Sequence, residues 1–160
     1  MTKTESRPPD DDSESWDLTQ FLTFRIARLN AVLNLQATRL LEAGHGLTLG
    51  QWRMIVTIGA GHAQTSRQLF EMTRMDPALI SRVLRQLEDQ GLLRTERSSQ
   101  DRRILDVCLT DEGARVFHET FPVMQARQRK LAGSFSADEL KLLDGFFDRL
   151  MEAAQKDVQR

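Results

Sequence analysis

The chain is poor in the residues that carry redox, metal and membrane chemistry. Cys108 is its single cysteine, so no disulfide closes within one copy, and a reducing cytoplasm is the expected compartment. It falls in a strand pattern with no cationic neighbour except across a hairpin, which reads as an inert thiol. No window approaches the roughly 20 apolar residues of a membrane span. The opening MTKTESRPPDDDSES has no apolar stretch of the kind a secretory signal carries. His45, His62 and His118 lie far apart, with no i,i+4 pair and no cysteine cluster, a spacing that disfavours zinc. Asp10-Asp11-Asp12 reads as solvated tail. Glycine-rich phosphate loops and nucleophile elbows are lacking. No cofactor, no metal and no catalytic cluster are therefore expected, which places enzymes behind the binding classes.

Lysine is also scarce. It occurs only at Lys3, Lys130, Lys141 and Lys156, and arginine supplies the rest of the 22 basic residues. Arginine is the better fork for phosphates and base edges, although a codon bias towards arginine gives the same count. The formal net charge of −1 conceals an asymmetry. Residues 1–17 carry Lys3 and Arg7 against Glu5, Asp10, Asp11, Asp12, Glu14 and Asp17, so the remaining chain is net basic.

What is present is ordinary globular composition: 160 residues, 28% charged and 40% hydrophobic. That length suggests one domain, or one domain with appended helices. Residues 1–15 read as a disordered acidic tail broken by Pro8-Pro9. A long helix pattern runs from Trp16 to about Ala43, with Leu22, Ile26, Leu29, Leu33 and Leu40 as a coiled-coil-like seam interrupted at Gln36. Gly44 and Gly46 end it.

Helix starts are then well marked. Thr48 with Gln51 is a capping box, and Leu47 and Trp52 occupy the staple positions. Thr65 with Gln68 opens a second, short helix. Asp76 followed by Pro77 opens a third, closed by Gly91. After Gly91 the period changes to two: residues 92–97 and 103–109 read as strands around a loop at 98–102. Thr110 begins a helix to about Leu131, and Ser136 with Glu139 begins a last one. The predicted fold is mostly α with a small β-hairpin wing: a winged helix-turn-helix domain (47–110) between an N-terminal helix (16–46) and C-terminal helices (111–160).

On the third of these helices, Ile80, Val83, Leu84 and Leu87 form one apolar face, and Ala78, Ser81, Arg82, Arg85 and Asp89 stand opposite. A helix entering the DNA major groove needs small or basic outward residues near its start, because bulky ones hold the backbone off the base edges. The preceding helix would cross the DNA backbone, where Thr65, Ser66 and Arg67 could bond phosphates. A plain amphipathic surface helix has the same pattern. The hairpin tip adds Asp101, Arg102 and Arg103. A tip in water serves no core, and a narrow minor groove attracts arginine. Asp101 then orients a guanidinium, Arg103 probes the minor groove, and Arg97 and Arg102 take phosphates. A solvated charged turn with a surface ion pair worth under ~1 kcal/mol is the bland alternative.

The segment TSRQLFEMTRMDPALISRVLRQLEDQGLLRTERSSQDRRILDVCLTDEG, with LTLGQWRMI before it, resembles the MarR family of bacterial transcription regulators. The resemblance rests on Asp101-Arg102-Arg103, a strand and Leu109-Thr110-x-x-Gly113, placed after Leu87-Glu88-x-x-Gly91-Leu92, and extends over about residues 18–155. It implies a cytoplasmic bacterial regulator, dimeric through its first and last helices, that reads double-stranded DNA at a near-palindromic operator, often as a repressor. Family recognition helices often carry polar readers where this chain has Pro77, Ala78 and Leu79. Ala78 and Leu79 could touch thymine methyls, leaving Ser81 and Arg82 as polar readers. The resemblance also implies release by a small anionic aromatic compound. Phe21, Phe24, Arg25, Arg28, Leu29, His45, Trp52, Arg53 and Ile55 are candidate wall residues, though Trp52 reads more readily as core and Arg25, Arg28 and Arg53 as surface or ion-paired residues. A winged helix that binds a protein instead of DNA is the competing class.

Overall fold

The computed structural model describes residues 17–97 and 105–158, so the predicted tail 1–15 and wing tip 98–104 lie outside the described residues. The described residues divide into two units, which part after Gln36 within the first long helix.

In the first unit a 3-10 turn, Leu18–Gln20, precedes helix α1 (Leu22–Ala43), which continues into the second unit. The sequence predicts one helix from Trp16, and Asp17 explains the break. Its carboxylate accepts the Thr19 amide at 2.9 Å and the Thr19 hydroxyl at 2.6 Å, fixing a tight turn before the helix starts. Leu22, Ile26 and Leu29 of the seam are exposed, and Phe21, Phe24, Val32 and Leu35 widen the uncovered apolar surface.

The second unit opens with the end of α1, where Ala37 and Leu41 are buried. Then come α2 (Leu49–Gly59), α3 (Ser66–Thr73), α4 (Pro77–Asp89), β1 (Leu93–Arg97), β2 (Leu105–Leu109), α5 (Asp111–Ala132) and α6 (Ala137–Val158). Local side-chain chemistry starts the helices where the sequence placed them. Thr48 accepts the Gln51 amide at 3.2 Å while the Gln51 side chain takes the Thr48 amide at 2.9 Å. Thr65 and Gln68 reciprocate in the same way, as do Ser136 and Glu139. Each such cap is worth about 1 kcal/mol.

Helix α4 ends in a Schellman motif: Gly91, at φ 70°, donates to Glu88, and Leu92 donates to Leu87. That cap consumes Leu92, so β1 starts one residue later than the alternation suggests. The two strands pair antiparallel, Leu93 opposite Leu109 and Thr95 opposite Val107. Asp106 also bridges to Thr65, and the Val107 amide donates to Gln64 at 2.7 Å. Thr110 then ties α5 to the end of α4. Its hydroxyl donates to Gly91 at 2.6 Å and accepts the Gly113 amide at 3.0 Å.

The core lies among α2, α3, α4, the hairpin and the start of α5. Met54, Ile55, Leu69, Ile80 and Leu87 are its best-buried members, each contributing roughly 1.5–3 kcal/mol by burial. Helix α6 contributes no buried residue, and Leu142, Phe146, Phe147 and Met151 stand more than half exposed. Among the described residues no helix is long and apolar enough to cross a membrane.

An ionic network decorates α5. Arg115 bonds Glu112 and Glu119, and Glu119 also meets His45 Nε2 at 3.0 Å. The Arg115 guanidinium holds the Glu112 carboxyl below the usual glutamate range, with a smaller contribution from His45. A depressed carboxyl stabilises the fold above its unfolded value and loses that contribution as pH falls through its folded value. Glu112→Gln is therefore expected to flatten the decline of the thermal midpoint below about pH 4.3. Parallel midpoint–pH curves for variant and wild type would remove the network from the acid response.

Candidate nucleic-acid interface

Helix α4 is presented by its two ends. Asp76 accepts the Ala78 and Leu79 amides at 2.9 and 3.1 Å, with Pro77 in the first turn. Ile80, Val83 and Leu87 anchor the inner face in the core. The opposite face is exposed and carries Ala78, Ser81, Arg82, Arg85 and Asp89, as the periodicity predicts. Among the described residues the guanidiniums of Arg82 and Arg85 have no hydrogen-bond or ion-pair partner. Leu79 does not share that face. It is half-buried and packs against the core, which leaves little of it for a thymine methyl.

On α3, Ser66 and Arg67 are exposed. Arg67 pairs with Glu71 at 3.0 Å, an i,i+4 contact in open solvent that is worth well under 1 kcal/mol and yields readily to a phosphate. The Thr65 oxygen is committed to its cap but keeps an O–H to donate. Arg97 ends β1 opposite Leu105. Asp101, Arg102 and Arg103 lie outside the described residues.

The turn between α3 and α4 holds a residue that the sequence pattern did not single out. Arg74 caps α3 at φ 52°, ψ 22°. It is the one non-glycine residue at positive φ among the described residues, and such a conformation costs about 1–2 kcal/mol for a residue with a Cβ. Only the want of a glycine in Met72-Thr73-Arg74-Met75 signals it in the sequence.

The candidate effector residues divide between the units. Phe21, Phe24, Arg25, Arg28 and Leu29 are exposed on the first. In the second, Trp52 (5% exposed) and Ile55 (0%) are core, so they line no open wall. Trp52 stacks on Phe117 with ring centroids 6.4 Å apart. Arg53 instead lines a shallow groove of about 420 Å³ between α2 and α4, with Leu49, Met75, Leu79 and Arg82. Cys108 is half-buried in β2 and stands opposite Arg94, which itself pairs with Glu96.

A family model described as MarR family matches residues 45–104, the span from the α1–α2 turn through the wing. Among curated proteins the chain is similar to an uncharacterized HTH-type transcriptional regulator, YwaE, of Bacillus subtilis (strain 168). The two are 27% identical over 90 residues, 56% of this chain. The match spans about half, 53%, of that relative's length. Two solved structures share the fold. A MarR/EmrR family transcriptional regulator from Acinetobacter sp. ADP1 superposes with a TM-score of 0.81 at 19% identity, covering 88% of this chain and 99% of that one. The PcaV transcriptional regulator from Streptomyces coelicolor, solved with its natural ligand, gives 0.69 at 28% identity over 86% and 96%. Family match, fold and the ordered caps around α4 agree: residues 45–104 match the MarR family model, and the chain is similar in fold to winged helix-turn-helix regulators of that family.

Proposed function

We propose that the protein is a homodimeric, sequence-specific DNA-binding transcriptional regulator that represses its target genes and is released by a small aromatic acid. The outer face of α4 carries this reading: small residues at its start, then Arg82 and Arg85 exposed and without partners among the described residues, on a helix whose other face is locked in the core. Arg82 is assigned to base edges, Arg67 and Arg97 to phosphates, and Arg103 to the minor groove. The uncovered apolar faces of α1 and α6 support a dimer, whose two recognition helices would sit about 34 Å apart on a near-palindromic site. Phe24, Arg25 and Arg28 on α1, with Phe21 just before it, suit an aromatic carboxylate, and the similar PcaV was solved with a ligand.

The test is binding to the DNA upstream of the protein's own gene, against scrambled competitor, at two salt concentrations. Tight binding that survives competitor is expected, as is its loss on adding an effective aromatic acid. Arg103→Ala should weaken binding roughly tenfold or more and leave the dimer intact, the scale of one good groove contact. Arg82→Ala should alter sequence preference, whereas Arg67→Ala should weaken all sequences alike and flatten the salt slope. Equal losses on every sequence for Arg82→Ala would sink its assignment as a base reader.

A further inference from the structure

We infer that Arg74 is a DNA phosphate anchor, held by the turn of the helix-turn-helix beside the start of α4. The inference rests on the DNA-binding reading above and extends it to a residue that no motif marks.

Four described residues adopt positive φ, and three of them are glycine: Gly46, Gly61 and Gly91. At the fourth position the chain uses arginine. A glycine there would fold with less strain, because the left-handed region brings Cβ against the following carbonyl. A residue retained against that preference asks for a use.

Folding of the turn supplies none. The Thr73 hydroxyl donates to Leu69 at 2.7 Å and accepts the Met75 amide at 3.3 Å, and Met75 is buried in the core. The Arg74 amide closes α3 by donating to Phe70 at 2.8 Å. All of these contacts belong to backbone or to neighbouring side chains. The Arg74 side chain is exposed and, among the described residues, bonds to nothing.

Its position supplies one. Arg74 stands two residues before Asp76, the cap of α4, so its Cα lies within about 7.6 Å of the helix start. A major groove is ~12 Å wide and walled by phosphates. A helix entering by its N-terminus carries that arginine to the groove's edge, where a guanidinium meets phosphate rather than base. Such a contact fixes how α4 is seated and reads no sequence.

The experiment compares wild type, Arg74→Gly, Arg74→Ala and Arg74→Lys on the upstream duplex and on a scrambled duplex across a salt series, with thermal unfolding of each protein. Arg74→Gly is expected to raise the thermal midpoint by roughly 2–4 °C, since strain is relieved. The same variant should bind both duplexes about five- to tenfold more weakly, with a salt slope shallower by about 0.9. Arg74→Ala should show the binding loss without the gain in midpoint, and Arg74→Lys should stay within about twofold of wild type. More stable folding joined to weaker binding is a pairing that a merely structural arginine does not produce. Unchanged affinity and slope in Arg74→Gly overturn the anchor, and a loss confined to the upstream duplex overturns the phosphate assignment. A wild type that binds neither duplex defeats the DNA reading itself, and Arg74 with it.

Discussion

Gly113→Ala is expected to unfold most of the protein near the temperature at which wild type is still native. A Cβ built on Gly113 collides with the Leu92 carbonyl oxygen and lies 2.9 Å from its carbon. Both are backbone, so no rotamer change relieves the clash. The backbone cannot drift either. Leu92 is fixed on one side by the hydrogen bond its amide donates to the Leu87 carbonyl, and its oxygen accepts the Thr110 amide at 3.2 Å. Thr110 is fixed by Gly91 and Gly113. The methyl must therefore break that junction or push α5 off the hairpin. Overpacking of ordinary kind costs 1–3 kcal/mol; against immovable backbone we expect about 4 kcal/mol, a drop of roughly 8–16 °C in thermal midpoint at this chain length. The neighbouring Glu112→Ala, made as a control, should shift it only slightly. A Gly113→Ala midpoint within 2 °C of wild type would show that the junction yields.

The second large effect is at the uncovered face of α6. Phe147 is 52% exposed, and Met151 on the same face is exposed as well. By angular position Leu140, Leu143, Leu150 and Ala154 complete a stripe with them; Leu140, Leu143 and Leu150 are half-buried, and among the described residues the helix has none fully buried. Covering one phenylalanine is worth roughly 1.5–3 kcal/mol, and a two-fold interface counts it twice. Phe147→Glu is therefore expected to weaken self-association by roughly 10²–10⁴-fold, at 1.4 kcal/mol per decade. Sedimentation should show wild type at twice 18.3 kDa and the variant at 18.3 kDa. On the proposed dimeric DNA-binding function, operator affinity should fall by at least about 100-fold, because two half-site readers would no longer share one binding event. The variant should keep its thermal cooperativity, since Phe147 serves no intrachain core. A Phe147→Glu protein that still sediments as a dimer would place the interface elsewhere.

These two residues were not equally visible in the sequence. Gly113 stood inside a motif, and the residues around it predict a helix start, yet the approach to Leu92 is a tertiary contact that no local pattern encodes. Capping is different. Thr48 with Gln51, Thr65 with Gln68, Asp76 with Pro77 and Ser136 with Glu139 act within one helical turn, so their chemistry is written in adjacent letters and every one of those starts was legible. The exception, Asp17, is also local: an acceptor two residues before Thr19 closes a tight turn, and an apolar period read alone passes over it. The two faces of α4 were legible for the same reason as its start, since a stripe at helical spacing is a property of the segment. Leu79 shows the limit. It lies at the edge of the stripe, and only the neighbouring α2 decides that it packs inward. Ile55 went the same way, a candidate wall residue that is core in the structure, whereas Trp52, which the sequence favours as core, is core and stacks on Phe117. Arg74 was marked only by the want of a glycine after α3, because the sequence does not state a φ angle.

The hairpin has a mechanical consequence. Two strands alone are marginal in water, but β2 is stitched on its other edge to Gln64 and Thr65, the residues that lead into α3. Wing and α3 are thus one lever with its fulcrum at Thr65, whose hydroxyl caps the helix while its backbone holds the strand. A push on the hairpin is passed through Thr65 to the α3 N-terminus, so the strand and the helix start move together.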